Sequence, residues 1–182
     1  MVPQGIVRLF SIFGVMTQKY TLLMQKTTAN SQLKSSLEDF GFAVCDLPWP
    51  EEKIKEVAKR DWPGEHGEDV YLPPSGLKLQ SYEIEAEFCY KGELDTAANA
   101  YTVFRNYLLG ASGDGVELSI YDPYWAKGRT GVYLLEISDL STIRSVVDEA
   151  AAFKAKFSVS KPMATVLAVR NEGEDIINLS VA

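Results

Sequence analysis

One segment, residues 81–90, constrains the fold more than any other part of the sequence, because its side chains alternate strictly between two classes. The even positions carry Tyr, Ile, Ala, Phe and Tyr, and the odd positions carry Ser81, Glu83, Glu85, Glu87 and Cys89. Successive side chains of a β-strand point to opposite faces of the sheet. The segment is therefore predicted to be a strand with one buried apolar face and one outward face that holds three carboxylates.

A second alternating segment, residues 152–160, has a basic outward face. Its apolar and polar positions interleave as Phe153, Lys154, Ala155, Lys156, Phe157, Ser158, Val159 and Ser160. If the two strands are neighbours in the sheet, cross-strand pairs between glutamate and lysine help to fix their register.

Shorter strands and one helix complete the predicted fold. The strands are expected at 37–47, 116–121, 131–137, 164–170 and 175–181. The helix is expected near residues 96–109, because its apolar residues form one stripe, Asp95 or Thr96 suits the N-cap, and Gly110 follows the last turn. The sequence thus predicts a mainly β chain of the α+β class, an antiparallel β-sandwich or barrel with one packed α-helix.

The connecting segments give weaker signals. Residues 171–174 are expected to join the last two strands as a closing hairpin. The apolar spacing over 143–151 suits a helix, although β-branched residues weaken that prediction. Residues 51–59 suit a short helix or an edge strand. Residues 60–75 contain three Pro and two Gly, which predicts a long loop.

The charge is divided unevenly along the chain. Residues 1–37 contain Arg8, Lys19, Lys26 and Lys34 and no acid, whereas residues 38–182 contain 14 basic and 25 acidic groups. An acidic body repels phosphates, so no nucleic-acid partner is expected. The chain of 182 residues fits one compact domain, and we expect an N-terminal arm over 1–36 followed by a single β-sandwich domain over 37–182.

Three interpretations of the apolar run at 5–16 remain open. A secretory signal fits poorly, because Arg8 lies inside the run and no small-residue cleavage pattern follows. The run is also too short to span a bilayer. An extended docking arm is favoured, and an upstream extension with translation starting at Met16 is the third interpretation.

Catalytic and metal-binding patterns are weak in this sequence. Cys45 and Cys89 are too few for a disulfide scaffold and are expected to be reduced, buried thiols. His66 is the only histidine, and its acidic neighbours Glu65, Glu68 and Asp69 are more simply a solvated loop than an acid/base or metal site. No phosphate loop or nucleophile elbow is found. We therefore expect no enzyme activity and no cofactor.

Aromatic residues mark two candidate surfaces. Tyr124 and Trp125 are expected at the tip of a turn that Arg129 follows, and Trp49 and Trp62 lie in other loops. Such rings could stack on sugars, but a core edge or a subunit interface is the favoured interpretation, since Tyr, Trp and Arg are enriched at interfaces. The interface candidates are Arg8, Lys19, Trp62, Glu83, Glu85, Glu87, Tyr124, Trp125 and Arg129.

The order of elements between residues 59 and 139 resembles a known family. Its motifs in this sequence are Arg60-Asp61-Trp62, the run 64–71, an alternating strand, a helix ending in Tyr107-Leu108-Leu109-Gly110, a Gly-Asp-Gly turn at 113–115, and Asp122 before an aromatic loop and Gly128-Arg129. The order is similar to that of the N-terminal domain of distal tail proteins of siphophages and related contractile-tail hub proteins. The resemblance covers about residues 37–170.

The resemblance implies a structural role in a phage or prophage tail. Members of that family form hexameric rings around the end of the tail tube and connect it to the baseplate or fibre. The expected partners are therefore further copies of this chain and other tail proteins, in the virion and, during assembly, in the host cytoplasm. The chain has no room for the second, carbohydrate-module-like domain of many members, so a compact ring subunit is implied. A carbohydrate-binding or adhesion β-sandwich is the alternative.

Overall fold

A computed structural model of the chain describes residues 20–172 and 175–182. This part of the chain forms eleven strands and one helix. In chain order they are β1 (Leu23–Lys26), β2 (Leu33–Ser35), β3 (Phe42–Asp46), β4 (Lys59–Asp61), β5 (Glu68–Val70), β6 (Tyr82–Glu93), α1 (Ala97–Leu109), β7 (Leu118–Asp122), β8 (Lys127–Arg144), β9 (Asp148–Val159), β10 (Val166–Arg170) and β11 (Ile176–Val181).

Seven of these strands form one antiparallel sheet in the order β2-β1-β7-β8-β9-β6-β3. The hairpins β4–β5 and β10–β11 form two smaller sheets. In the part of the chain that the structure describes, the prediction of a mainly β, α+β fold with one helix is confirmed, and so is the closing hairpin between the last two strands.

The two alternating segments are neighbours in the sheet, as β6 and β9. Their register places Glu85 opposite Lys156 and Glu87 opposite Lys154. On the outward face the ammonium of Lys156 lies 3.5 Å from a carboxylate oxygen of Glu83, a diagonal neighbour. The opposite face supplies the core, and its residues with at most 1% exposure in these two strands include Ile84, Phe88, Phe153 and Phe157.

Helix α1 covers the apolar face of the sheet. The ring of Phe104 stacks on Phe40 at a centroid distance of 4.8 Å and meets Phe88 edge-on at 5.1 Å. The helix ends at Gly110, whose φ of 67° is the left-handed conformation that glycine adopts without a steric penalty. Thr96 occupies the N-cap position without capping through its side chain, and the Glu149 carboxylate accepts the hydrogen bond of the Ala97 N–H instead.

The sheet curls until its two ends meet. Although β2 and β3 are the outermost strands, the Phe42 N–H donates to the Ser36 carbonyl at 2.8 Å. The Val44 N–H likewise donates to the Tyr20 carbonyl at 2.8 Å, just upstream of β1. The chain immediately before β1 therefore lies along the free edge of β3.

The predicted boundary between arm and domain at residues 36 and 37 is wrong. Residues 20–36 belong to the sheet, since β1 lies between β2 and β7, and both Leu22 and Met24 are fully buried. The uneven charge along the sequence indicated the wrong boundary. Lys26 and Lys34 lie in strands of the sheet, but they were grouped with the two basic residues further upstream. Residues 1–19, with Arg8, Lys19 and the apolar run at 5–16, lie outside the described residues, so those interpretations stay predictions.

The prediction of reduced, buried cysteines is also wrong. Cys45 and Cys89 form a disulfide that joins β3 to β6, with a Cα–Cα distance of 6.1 Å. Cys89 shares the outward parity of Glu85 and Glu87, and Cys45 is the extra residue where the register of β3 shifts. The two thiols meet because of a pairing between strands that are far apart in the sequence.

Three connecting segments differ from the simplest expectation. Residues 143–151 form the ends of β8 and β9 and the turn between them, so the helical spacing there was misleading. Within 51–59 a bridge joins Ile54 to Leu79, which agrees with the edge-strand alternative. The strand expected at 37–47 begins only at Phe42, after a turn.

Candidate functional site

An aromatic cleft of about 450 Å³ lies where β3 ends beside the turn between β7 and β8. Its walls are Tyr20, Thr21, Val44, Cys45, Asp46, Leu47, Pro48, Asp122, Tyr124 and Trp125. We call this site the aromatic cleft. It joins the free edge of the sheet to the turn that the sequence predicted to carry exposed rings.

Asp122 holds one wall of the aromatic cleft in place. One of its carboxylate oxygens accepts the Tyr124 N–H at 2.9 Å, which closes the turn, and the other accepts the indole N–H of Trp49 at 3.1 Å. Because both oxygens accept hydrogen bonds, this carboxylate is buried without being left unpaired. The turn that this carboxylate closes leaves Tyr124 and Trp125 exposed.

Tyr124 and Trp125 form the exposed rim. Their rings meet edge-on with centroids 5.2 Å apart, and the residues are 61% and 62% exposed. A fixed pair of exposed rings offers apolar area at a low cost in conformational entropy, which suits a protein or peptide contact.

The three tryptophans do not share one platform. Lys127 lies over the ring of Trp49 with its nitrogen 5.1 Å from the centroid. Arg60 lies over Trp62 at 3.6 Å, and Asp69 accepts the Trp62 indole N–H at 3.0 Å. Trp62 lines a separate concavity, formed by the β4–β5 hairpin. A sugar platform built from all three rings is therefore not formed.

Arg129, predicted as an interface residue, lies inside the protein. It is 6% exposed, and its guanidinium binds the Glu52 carboxylate at 2.6 Å and the Gly128 carbonyl at 2.9 Å. Burial raises the pKa of the nearby Tyr82 hydroxyl, and the Arg129 charge partly opposes that rise. Arg129 thus fixes the segment around Glu52 onto the sheet rather than offering a surface.

The acidic face of β6 is partly neutralised within the chain. Lys154 lies 3.8 Å from a Glu85 oxygen and 3.2 Å from an Asp139 oxygen, and the hydrogen bond to Asp139 is the main cause of a raised pKa for Lys154. Glu83, Glu85 and Glu87 are brought together on one face as predicted, but lysines of β9 lie among them.

An exposed apolar turn at the end of the β8–β9 hairpin was missed from the sequence. The Ser145 N–H donates to the Asp148 carbonyl at 2.8 Å, and Val146 and Val147 between them are 92% and 74% exposed. Turn positions usually carry Gly, Asn or Asp. The signal was present in the apolar residues of 143–151, but it was interpreted as the buried stripe of a helix. We call residues 145–148 the valine turn.

The other concave sites have fewer features that indicate a function than the aromatic cleft has. Two polar concavities of about 920 and 700 Å³ flank the segment 27–32, and hydroxyl and amide side chains line both. Among the residues that the structure describes, no group of three or more His, Cys, Asp or Glu side chains is arranged to hold a metal ion. No helix in the same part of the chain is both long and apolar enough to cross a membrane.

Comparison with known protein families finds no match to this chain, and no curated protein matches it either.

Proposed function

We propose that this protein is a structural subunit of a phage or prophage tail, a ring-forming component that links the tail tube to the baseplate or fibre. The order of its elements supports the proposal. The alternating strand β6, helix α1, the Gly-Asp-Gly turn, β7, the aromatic turn after Asp122 and β8 follow one another as in the distal tail family.

The observation that carries the proposal is the valine turn. Two β-branched side chains stand at the end of a long hairpin, where a monomeric protein gains nothing from exposing them. The β10–β11 hairpin exposes further large apolar residues, Leu167, Ile177 and Val181. Burial of these residues against neighbouring subunits would account for apolar side chains that are exposed in a single subunit.

Ring closure requires a head-to-tail contact between two different surfaces of the subunit. The valine turn is one such surface, since it lies at the end of the β8–β9 hairpin. The acidic face with Glu83, Glu85 and Glu87 is a second candidate. A basic segment of a neighbouring subunit would bind there, and charge complementarity would set its orientation more than its affinity.

The test is the particle that the purified full-length protein forms. We expect negative-stain images of rings and a mass by light scattering that is a fixed multiple of the subunit. The double variant Val146→Asp/Val147→Asp is expected to lower that mass to the monomer, because two buried charges would be placed in the contact.

Met163→Asp is the matched control, since Met163 is 73% exposed and lies outside the valine turn. It is expected to leave the particle intact. A wild-type protein that is monomeric at every concentration and does not join tail assemblies would contradict the proposal. An unchanged mass in the valine-turn variant would exclude that turn as the contact.

The carbohydrate-binding alternative has less support. It was based on Trp49, Trp62 and Trp125, and two of these rings carry a cation of the same chain over one face. Glycan binding that is lost in Trp125→Ala would restore it.

A further inference from the structure

The Cys45–Cys89 disulfide lies at the aromatic cleft. Cys45 is exposed and forms part of the cleft wall, whereas Cys89 on β6 is half-buried. Thiol–disulfide exchange requires a thiolate to reach one of the two sulfurs, so exposure largely decides which disulfides react in a folded protein. Cys45 is therefore the partner that a dissolved thiol meets first.

The disulfide joins the two strands where their backbone pairing becomes irregular. The register of β3 with β6 shifts between Val44 and Asp46, and Cys45 is the extra residue there. The ladder of backbone hydrogen bonds is disrupted at such a point. The covalent link therefore fastens β3 to β6 close to where β3 ends and the chain becomes the cleft wall.

The first part of β3 is held independently of the disulfide. The Phe42 ring packs against Phe104 and Phe153 at centroid distances of 5.4 and 5.1 Å. The N–H groups of Phe42 and Val44 each donate at 2.8 Å to carbonyl groups at the other end of the curled sheet. Breaking the disulfide therefore leaves residues 42–44 in place.

The cleft wall itself is held by fewer contacts. Of residues 45–48, Leu47 is buried and the other three are exposed. The next fixed point is Trp49, whose indole N–H donates to Asp122 at 3.1 Å. The wall is thus a short segment between two fixed points, and the disulfide is its covalent attachment to the sheet.

We propose that this disulfide is a reversible redox switch of the aromatic cleft, and that a dithiol reductant of the thioredoxin class reduces it in the folded protein. Where thiols are kept reduced, the wall at 45–48 is free to move away from β6, and in an oxidising environment it is fixed. The width of the cleft therefore follows the redox state. The inference goes beyond the ring and does not depend on it.

Two exchange steps carry out the reduction. A thiolate of the reductant attacks the Cys45 sulfur, the S–S bond breaks, and the Cys89 sulfur leaves with the electron pair and takes a proton from water. The second thiol of the reductant, as a thiolate, then attacks the mixed disulfide and releases Cys45, which is also protonated. The reductant supplies both electrons and becomes a disulfide. An oxidised dithiol reverses both steps.

The first test is the rate at which dithiothreitol reduces the folded full-length protein. Samples are quenched with an alkylating agent, and the modified cysteines are counted by mass. We expect a rate within about ten-fold of that of the urea-unfolded chain, with no acceleration by urea below the unfolding transition, because the exposed sulfur reacts without unfolding. Reduction that is slower by about 1,000-fold or more, and that rises with urea in step with unfolding, would overturn the inference.

The mixed disulfide shows which sulfur is attacked. Glutathione, a monothiol, is used as the reductant, the reaction is quenched early, and the bound glutathione is located on proteolytic peptides by mass. We expect about ten-fold more glutathione on Cys45 than on Cys89, because Cys45 is the exposed partner. Equal amounts, or an excess on Cys89, would reject the entry of the reductant through the cleft.

Hydrogen exchange reports whether reduction releases the cleft wall. The amides of Asp46 and Leu47 are expected to exchange about ten-fold faster or more after reduction, with smaller changes earlier in β3. The matched control is Cys45→Ala/Cys89→Ala, in which dithiothreitol should change none of these rates. Unchanged exchange at Asp46 and Leu47 in the reduced wild type would show that the disulfide does not control the cleft, however readily it is reduced.

Negative-stain images of the oxidised and reduced samples report separately on the ring. Rings built from a protein whose disulfide resists reduction would reject this inference and keep the proposed function. A monomer whose disulfide is reduced readily, with faster exchange in the cleft wall, would do the reverse.

Discussion

At the scale of single residues, two buried charged groups serve the ends of helix α1. Glu149 accepts the first backbone N–H of the helix, from Ala97. Lys26 donates to the Tyr107 carbonyl near the last turn at 2.6 Å and to the Gly115 carbonyl at 2.8 Å. An anion at the N-terminus and a cation at the C-terminus complement the helix dipole. These contacts tie the helix to β9 and β1.

Removing the Glu149 carboxylate is expected to destabilise the protein. Glu149→Ala leaves the Ala97 N–H without its partner, and we expect a loss of about 1–3 kcal/mol in the free energy of unfolding, measured with urea. Glu149→Gln keeps an acceptor oxygen and should lose less. Glu93→Ala, at an exposed position of β6, is the control and should change little. Equal losses in the two alanine variants would show that the capping contact contributes nothing.

Tyr107 is expected to make the protein less stable in alkali. Burial raises the pKa of its hydroxyl above the ordinary value of 10.0, and the charges of Asp114 and Asp39 add to the rise. Above pH 10 the unfolded chain releases this proton while the folded chain keeps it, so the contribution to stability is present below that pH and is lost as the pH rises.

The variant Tyr107→Phe isolates that effect. The wild type is expected to lose about 1.4 kcal/mol more per pH unit than the variant above the ordinary tyrosine pKa. Lys26 acts in the opposite sense, because burial lowers its pKa, but it is present in both proteins and cancels in the comparison. Urea unfolding between neutral and strongly alkaline pH provides the measurement. Parallel pH profiles for the two proteins would contradict the prediction.

At the scale of elements, the edge strand β3 depends on a covalent link. It is five residues long, lies at the end of the sheet and has an irregular register with β6 between Val44 and Asp46. The Cys45–Cys89 disulfide joins the two strands at that irregularity. A short edge strand with few ladder hydrogen bonds gains most from such a link.

Loss of the disulfide is therefore expected to destabilise the protein and loosen β3. The link closes a loop of 44 residues, for which chain entropy predicts about 4 kcal/mol. The double variant Cys45→Ala/Cys89→Ala should show this loss in urea unfolding, together with faster hydrogen exchange in β3 than in β9. The wild type treated with a reductant is the second sample and should behave like the variant. Unchanged stability in both would show that the sheet holds β3 without the link.

The elements that the sequence predicted well are those whose signal is local. The alternation in β6 and β9 and the stripe of α1 depend on residues close together in the chain, and burial of one face is enough to select them. The disulfide and the burial of Arg129 depend on pairings between distant segments, which a single sequence does not reveal. The valine turn was misjudged for a related reason, since exposed valines at a turn mimic the spacing of a buried helical stripe.

At the scale of the whole molecule, the curled sheet makes the first described strand indispensable. β1 pairs with β2 on one side and with β7 on the other, and Leu22 and Met24 are completely buried in the core. The hydrogen bond between Val44 and Tyr20 then joins the chain just upstream of this strand to the opposite edge of the sheet. The basic segment over residues 1–37 is therefore not one unit, because residues 20–36 belong to the sheet.

Two truncations separate these regions. Deleting residues 1–19 leaves every strand that the structure describes, so cooperative urea unfolding and a folded near-UV circular dichroism spectrum are expected to remain. Deleting residues 1–36 also removes β1 and β2, opens the sheet beside β7 and exposes Ile120 and Leu118, which are completely buried in the intact protein. We expect this shorter chain to lose its cooperative transition, because several fully buried apolar side chains lose their partners at about 2–5 kcal/mol each, which together exceeds the stability of a typical domain. If the chain lacking residues 1–36 unfolded cooperatively at a denaturant concentration near that of the chain lacking 1–19, β1 would be an appendage and the original boundary of the arm would be right.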